Sequence, residues 1–182
     1  MLTYLTGREP LLGRHCRACG SDVHGRPYLA GGGMDFSLSS SGRWAVLATS
    51  GSRVGVDIEL ETVRPLPPAT TLSRAENDML SGMPARDRKG GLLRLWTAKE
   101  AVAKADGRGL ALDLPAIDVH QVLNGDEASV MVGGRFWFVR TDDRRLPDGA
   151  RCTMSVAAER PPGGRLVERF PVRLTRAGAK GG

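Results

Sequence analysis

Three apolar runs separated by small residues occupy the first third of the chain: MDFSLS, RWAVLAT and RVGVDIEL. In the last of them, Val54, Val56 and Ile58 fall on one side of an extended strand, with Gly55, Asp57 and Glu59 on the other. The linking SSSG and SGS are turn material, so the runs predict an antiparallel meander. Residues 1 to about 33 show no such period and end in AGGG before Met34, so they read as irregular.

Three prolines make ETVRPLPPATT a connector. Ser73 and Glu76 then stand in capping-box spacing and start a helix that Gly82 and Pro84 end. A longer helix is predicted from about Gly91 to Ala105, with Leu92, Leu95, Trp96 and Ala103 available for a core. Gly107 stops it. The last third returns to strands in AIDVHQVL, SVMVGG, RFWFVRT and CTMSVAAE, with NGDE and VGGR as hairpin turns. Beyond Glu159 the chain is rich in Pro, Gly and Arg, and residues 161–182 are expected to form a disordered basic tail. The order of strands, helices and strands predicts an α+β class, with helices packed on antiparallel sheets.

Composition narrows this only a little. A length of 182 residues allows one domain or two small halves, and 41% hydrophobic with 25% charged residues is a soluble, globular balance. The formal charge of +6 favours acidic partners: nucleic acid, an anionic cofactor or an acidic protein. No run approaches the roughly 20 apolar residues of a membrane span. The opening MLTYLTGREPLLGRH is too short and too polar in its flanks for a secretory leader. With three cysteines, an odd number, a reducing cytoplasm is the expected compartment.

Several groups could carry chemistry. Asp57 and Glu59 lie roughly 7 Å apart at Cα on one strand face. With a third carboxylate they would form an all-oxygen site suited to Mg²⁺, with Mn²⁺ also accepted; without one they are solvated acids. Glu100 and Lys104 are one helical turn apart, with Trp96 on the same stripe. That pair is either an i,i+4 salt bridge or a carboxylate and an ammonium at the rim of the core.

Cys16 and Cys19 followed by His24 resemble half a zinc site, but such sites need four ligands and only His15 and His24 are near. A loop with two free thiols is the preferred reading. A nucleic-acid module would need a second ligand pair and an aromatic platform, and the sequence has neither. Arg26 and the hydroxyls of SLSSSG are phosphate-binding candidates, although Ser-rich turns are usually only turns. No Walker loop, no G-x-G-x-x-G after a strand and no defensible Ser/His/Asp set is present.

Taken together, HGRPYL, FSLSSSGRWAVLA, VGVDIE and LWTAKEAVAKADGRGL resemble, in order and spacing, the motifs of Sfp-type 4'-phosphopantetheinyl transferases. The resemblance runs from about Gly25 to Glu159. It implies two pseudo-symmetric α+β halves: a shortened N-terminal half over residues 1–62 and a C-terminal half over 63–160, with coenzyme A between them. It further implies Mg²⁺-dependent transfer of 4'-phosphopantetheine to a serine of an acidic apo carrier protein, releasing adenosine 3',5'-bisphosphate.

The resemblance also implies roles for particular residues. Asp57, Glu59 and Glu100 would be metal ligands, with Glu100 also the candidate base. Lys104 would meet the cofactor's phosphates with Lys99 as helper, while Arg26, Ser39 and Ser40 would hold the nucleotide. A cytoplasmic monomer or homodimer, with neither nucleic acid nor membrane as partner, is the accompanying expectation.

Two departures from the family pattern stand out. Ser40 occupies the position of a phosphate-contacting histidine, and only 24 residues precede Gly25, fewer than the family usually carries. They motivate a second hypothesis, a non-catalytic homologue that binds a carrier protein or coenzyme A.

Overall fold

Gly55 sets how closely the long helix lies on the sheet. In this computed structural model, which describes residues 9, 11–62 and 67–161, a Cβ added at Gly55 would stand 1.9 Å from the Ala101 carbonyl oxygen. Only glycine permits that approach.

The strand concerned, β5 (Val54–Leu60), is the edge of a four-stranded antiparallel sheet in the order β5-β8-β7-β6. The other strands are β6 (Glu127–Val132), β7 (Arg135–Arg145) and β8 (Arg151–Ala158). Helix α1 spans Arg74–Gly82, and α2 spans Ala85–Asp106. Ser73 and Glu76 form the predicted capping box of α1. Gly107, at φ 89°, ends α2 in the left-handed conformation. The α+β class with antiparallel sheets is therefore as expected.

Leu95, Ala98, Ala101, Val102 and Ala105 of α2 pack with Trp137, Val139 and Ala157 in the larger core. On the other face of the sheet, Val56 and Ile58 meet Trp44, Leu146, Cys152 and Met154. The alternation along β5 thus places its valines and isoleucine in one core, and turns Gly55, Asp57 and Glu59 toward the helix.

The N-terminal part departs from expectation. Two antiparallel hairpins stand there: β1 (Leu12–His15) with β2 (Arg26–Leu29), and β3 (Asp35–Ser41) with β4 (Trp44–Ser50). The first stands where irregular chain is expected, because its four-residue strands, LGRH and RPYL, carry no apolar period.

The predicted meander also ends one strand early, because β5 pairs with β8 and not with β4. Instead, side chains of β3 reach the free edge of β5. Asp35 Oδ2 accepts from the Val54 N–H at 2.9 Å, Ser37 Oγ from Val56 at 3.1 Å and Ser41 Oγ from Leu60 at 3.1 Å. Alternate short polar residues thereby satisfy edge donors that would otherwise be buried unpaired.

The strand expected over AIDVHQVL is replaced by 3-10 turns at Leu114–Ala116 and His120–Leu123. The Ile117 carbonyl, with that of Leu114 just before the run, turns inward to the Lys99 ammonium and so is not free for a ladder. Residues 63–66 of the predicted connector and the expected tail over 162–182 lie outside the described residues. Among those described, no helix is long and apolar enough to cross a membrane.

Candidate active site

Lys104 reaches from the last turn of α2 back to the sheet. Its Nζ donates to Asp57 Oδ1 at 2.6 Å and to Ser39 Oγ at 2.9 Å, and Ser39 donates to the same Asp57 oxygen at 2.7 Å. Asp57 is 4% exposed, and its Oδ2 is buried with no hydrogen-bond partner. Burial pushes the Asp57 pKa up, against the opposing attraction of Lys104.

Glu59, two residues along the same face, accepts from Ser41 Oγ at 2.8 Å. Burial raises its pKa as well, and the Asp57 charge adds to the effect. Glu100, one turn before Lys104, is raised first by burial and then by the charges of Asp57 and Glu59, with Lys104 opposing. Three carboxylates from two elements therefore repel one another in a poorly solvated place, with one ammonium among them.

An orphaned carboxylate oxygen and surplus buried negative charge are what a hard divalent cation relieves, and the donor set is all oxygen. The residues fit Mg²⁺ or Mn²⁺. Their present arrangement is open, with Lys104 as the counter-ion of Asp57. Among the described residues, three donor atoms within 4.8 Å of one another occur instead at Cys16, Cys19 and His24.

Two residues expected to meet the cofactor are used elsewhere. Lys99 is fully buried and faces away from Lys104. Its Nζ lies 2.7 Å from Glu76 Oε2 and donates to the Leu114 and Ile117 carbonyls at 2.9 and 2.5 Å. A five-residue step turns a helix by about 140° beyond one full turn, so Lys99 and Lys104 point to different faces. The spacing Leu95–Lys99–Ala103 carried this signal, because it puts the lysine on the apolar stripe.

Arg26 pairs with Asp35 and donates to the carbonyls of Lys104, Ala105, Phe36 and Val54. With Arg17 and Arg53, which bond the Asp106 carbonyl at 2.9 and 3.1 Å, it satisfies the C-terminal end of α2. The guanidinium braces the end of α2, and Arg26 also lines the cleft beside Lys104. Ser39 and Ser40 lie within β3 and not in a turn. Ser39 is committed to Asp57 and Lys104, while Ser40 is exposed.

A cleft of about 570 Å³ opens beside Lys104, lined by the apolar Phe36, Leu38 and Ala103 and the polar His24, Arg26 and Arg108. Three roles escaped the sequence reading. Ser41 holds Glu59, Glu76 balances Lys99, and the Trp96 indole assists Glu59.

Comparison with known proteins fits this geometry. A family model described as the 4'-phosphopantetheinyl transferase superfamily matches residues 53–150, the segment that carries Asp57, Glu59, Glu100 and Lys104. The chain belongs to this superfamily. It is 31% identical over 127 residues to a 4'-phosphopantetheinyl transferase of Bacillus subtilis, covering 68% of this chain and 57% of the relative. It is 32% identical over 85 residues to the 4'-phosphopantetheinyl transferase Sfp of B. subtilis strain 168, covering 46% and 38%. To the transferase HetI of Nostoc sp. it is 33% identical over 99 residues, covering 50% and 41%. The chain thus spans from about a third to somewhat over half the length of the curated relatives it matches. Asp57, Glu59, Glu100 and Lys104 fall within the matched segment, whereas Arg26, Ser39 and Ser40 precede it.

Proposed function

We propose that this chain transfers the 4'-phosphopantetheine arm of coenzyme A to a serine hydroxyl of an apo carrier protein. The supporting observation is Lys104, which lines the cleft and stands 2.6 Å from Asp57 on the strand that also carries Glu59, one helical turn after Glu100. The charges suit a pyrophosphate ester: a cation binds its oxygens, and carboxylates hold the metal that neutralises the rest.

Asp57, Glu59 and Glu100 would hold Mg²⁺. When bound, the ion supplies charge neutralisation and orientation for the phosphate oxygens. Lys104 places its ammonium against developing charge on the departing bisphosphate. Glu100, directly or through a water, would accept the proton of the attacking serine. Ser39 and Ser41 fix the rotamers of Asp57 and Glu59, so the strand presents its acids in one arrangement. The apolar wall of the cleft suits the pantetheine arm. The net charge of +6 suits an acidic carrier surface and speeds its encounter.

Incubation with an apo carrier protein, Mg²⁺ and coenzyme A bearing a fluorophore on its thiol tests this. Fluorescence should appear on the carrier in a denaturing gel and be absent when its acceptor serine is alanine. Coenzyme A binding without labelling of any carrier would support the non-catalytic homologue instead.

A further inference from the structure

The loop between β1 and β2 brings together three soft donors that the transfer reaction does not use. Cys16 follows β1 directly. The Gly20 N–H bonds the Cys16 carbonyl at 2.7 Å, and the Cys16 N–H bonds the Ser21 carbonyl at 2.8 Å. Gly20 turns the chain at φ 75°, a left-handed conformation that suits glycine. Together these closures fold the five residues from Cys16 to Gly20 into one tight turn that sets both sulfurs on the same side. Cys19 Sγ then lies 3.3 Å from His24 Nε2, and one donor atom from each of the three residues lies within 4.8 Å of the others.

We propose that Cys16, Cys19 and His24 bind a zinc ion that staples the β1–β2 hairpin. Zn–S bonds of about 2.3 Å and Zn–N bonds of about 2.0–2.1 Å at tetrahedral angles separate the donors by roughly 3.5–3.8 Å, against 3.3 Å between Cys19 Sγ and His24 Nε2 and no more than 4.8 Å across the group. Binding as thiolates releases the two thiol protons to solvent. Zinc, and not a hard cation, is the match for two sulfurs and an imidazole. His15 is paired with Asp22 at 3.0 Å, and no fourth donor joins the group among the described residues. The fourth position therefore takes water, on the side of the cleft that Cys16, Cys19 and His24 line.

The fold gives the ion a purpose. A hairpin of two four-residue strands with exposed Leu12 and Tyr28 has little to hold it closed. Its loop nevertheless carries Arg17 to the end of α2, and a Cβ at Gly25 would meet the Cys16 backbone at 2.5 Å. A metal that fixes residues 16–24 would fix Arg17 at the end of α2 and the part of the cleft lined by Cys16, Cys19 and His24.

The test is elemental analysis of the full chain purified without a metal-affinity tag or chelator. One zinc per chain is expected. It should be lost in Cys19→Ser and in His24→Ala and kept in Glu100→Gln, which separates this ion from the one at the acidic trio. Cobalt in place of zinc should give the thiolate charge-transfer and tetrahedral visible bands on the unmutated chain, so the result stands even where a variant fails to fold. Zinc that persists unchanged in both variants would be adventitious and would overturn the proposal. So would metal-free protein whose two thiols alkylate at once, or a Cys16–Cys19 disulfide in freshly purified protein.

Discussion

Lys104 Nζ stands 2.6 Å from Asp57 Oδ1, while the second oxygen of that aspartate is buried without a partner. The ammonium compensates half of a carboxylate that burial disfavours. Lys104→Ala leaves the charge stranded, and should lower stability by about 1–3 kcal/mol in urea titration. Transfer should fall by about 10²–10³-fold, the scale of losing one preorganised charge. Lys104→Arg should recover stability better than rate, because a planar fork replaces a compact ammonium.

The acidic trio should make the metal-free protein sensitive to pH. Asp57, Glu59 and Glu100 all have folded-state pKa values raised above the ordinary 3.8 or 4.5, by burial first. Groups raised on folding contribute stability that is fully present below the unfolded value and lost as pH rises through the folded value. The melting temperature without divalent ions should therefore fall from mildly acidic toward neutral pH. Glu100→Gln should flatten this slope and raise the neutral-pH melting temperature, while reducing transfer by about 10²–10⁴-fold. Mg²⁺ should raise the melting temperature of the unmutated chain and do less for the variant.

Lys99 should behave as a core residue. Its partner Glu76 also accepts from the Ser73 and Val119 N–H groups at 2.7 and 2.9 Å, so the pair ties α1, α2 and the 3-10 turns together. Lys99→Met strands the glutamate and should cost about 3–5 kcal/mol. The double variant with Glu76→Gln should recover part of that. Any Lys99 variant that still folds should keep the KM for coenzyme A, which a phosphate-binding lysine would not.

The seam between β3 and β5 depends on hydroxyls. Ser37→Ala leaves the Val56 N–H unpaired in a buried place, since Ser37 is 5% exposed and Val56 wholly buried. A loss of about 1–3 kcal/mol is expected. Amide hydrogen exchange should show it locally, with faster exchange at Val56, whose N–H faces β3, than at the β5 residues whose N–H groups face β8.

How much of this was legible depended on whether the signal was local. The β5 alternation, the Ser73–Glu76 cap and the Gly107 stop are set by neighbours within a few residues, and each was read from the sequence. The α+β class followed from their order. The packing contacts of Lys99 and Arg26 were not legible from motif position. Lys99 sits on the apolar stripe of α2, and Arg26 finds its acceptors 9 to 79 residues away. The serines of β3 looked like turn material because their acceptor role exists only once β5 lies alongside. The β1–β2 hairpin had no apolar period to reveal it.

The central claim is tested most directly by intact mass spectrometry of an apo carrier protein incubated with this chain, coenzyme A and Mg²⁺. A gain of one phosphopantetheine arm, roughly 340 Da as a covalent modification, is predicted. It should be absent without Mg²⁺ and strongly reduced with Glu100→Gln or Lys104→Ala. An unchanged carrier mass across several carriers, or a gain that both variants produce at the full rate, would contradict the assignment of catalysis to this site.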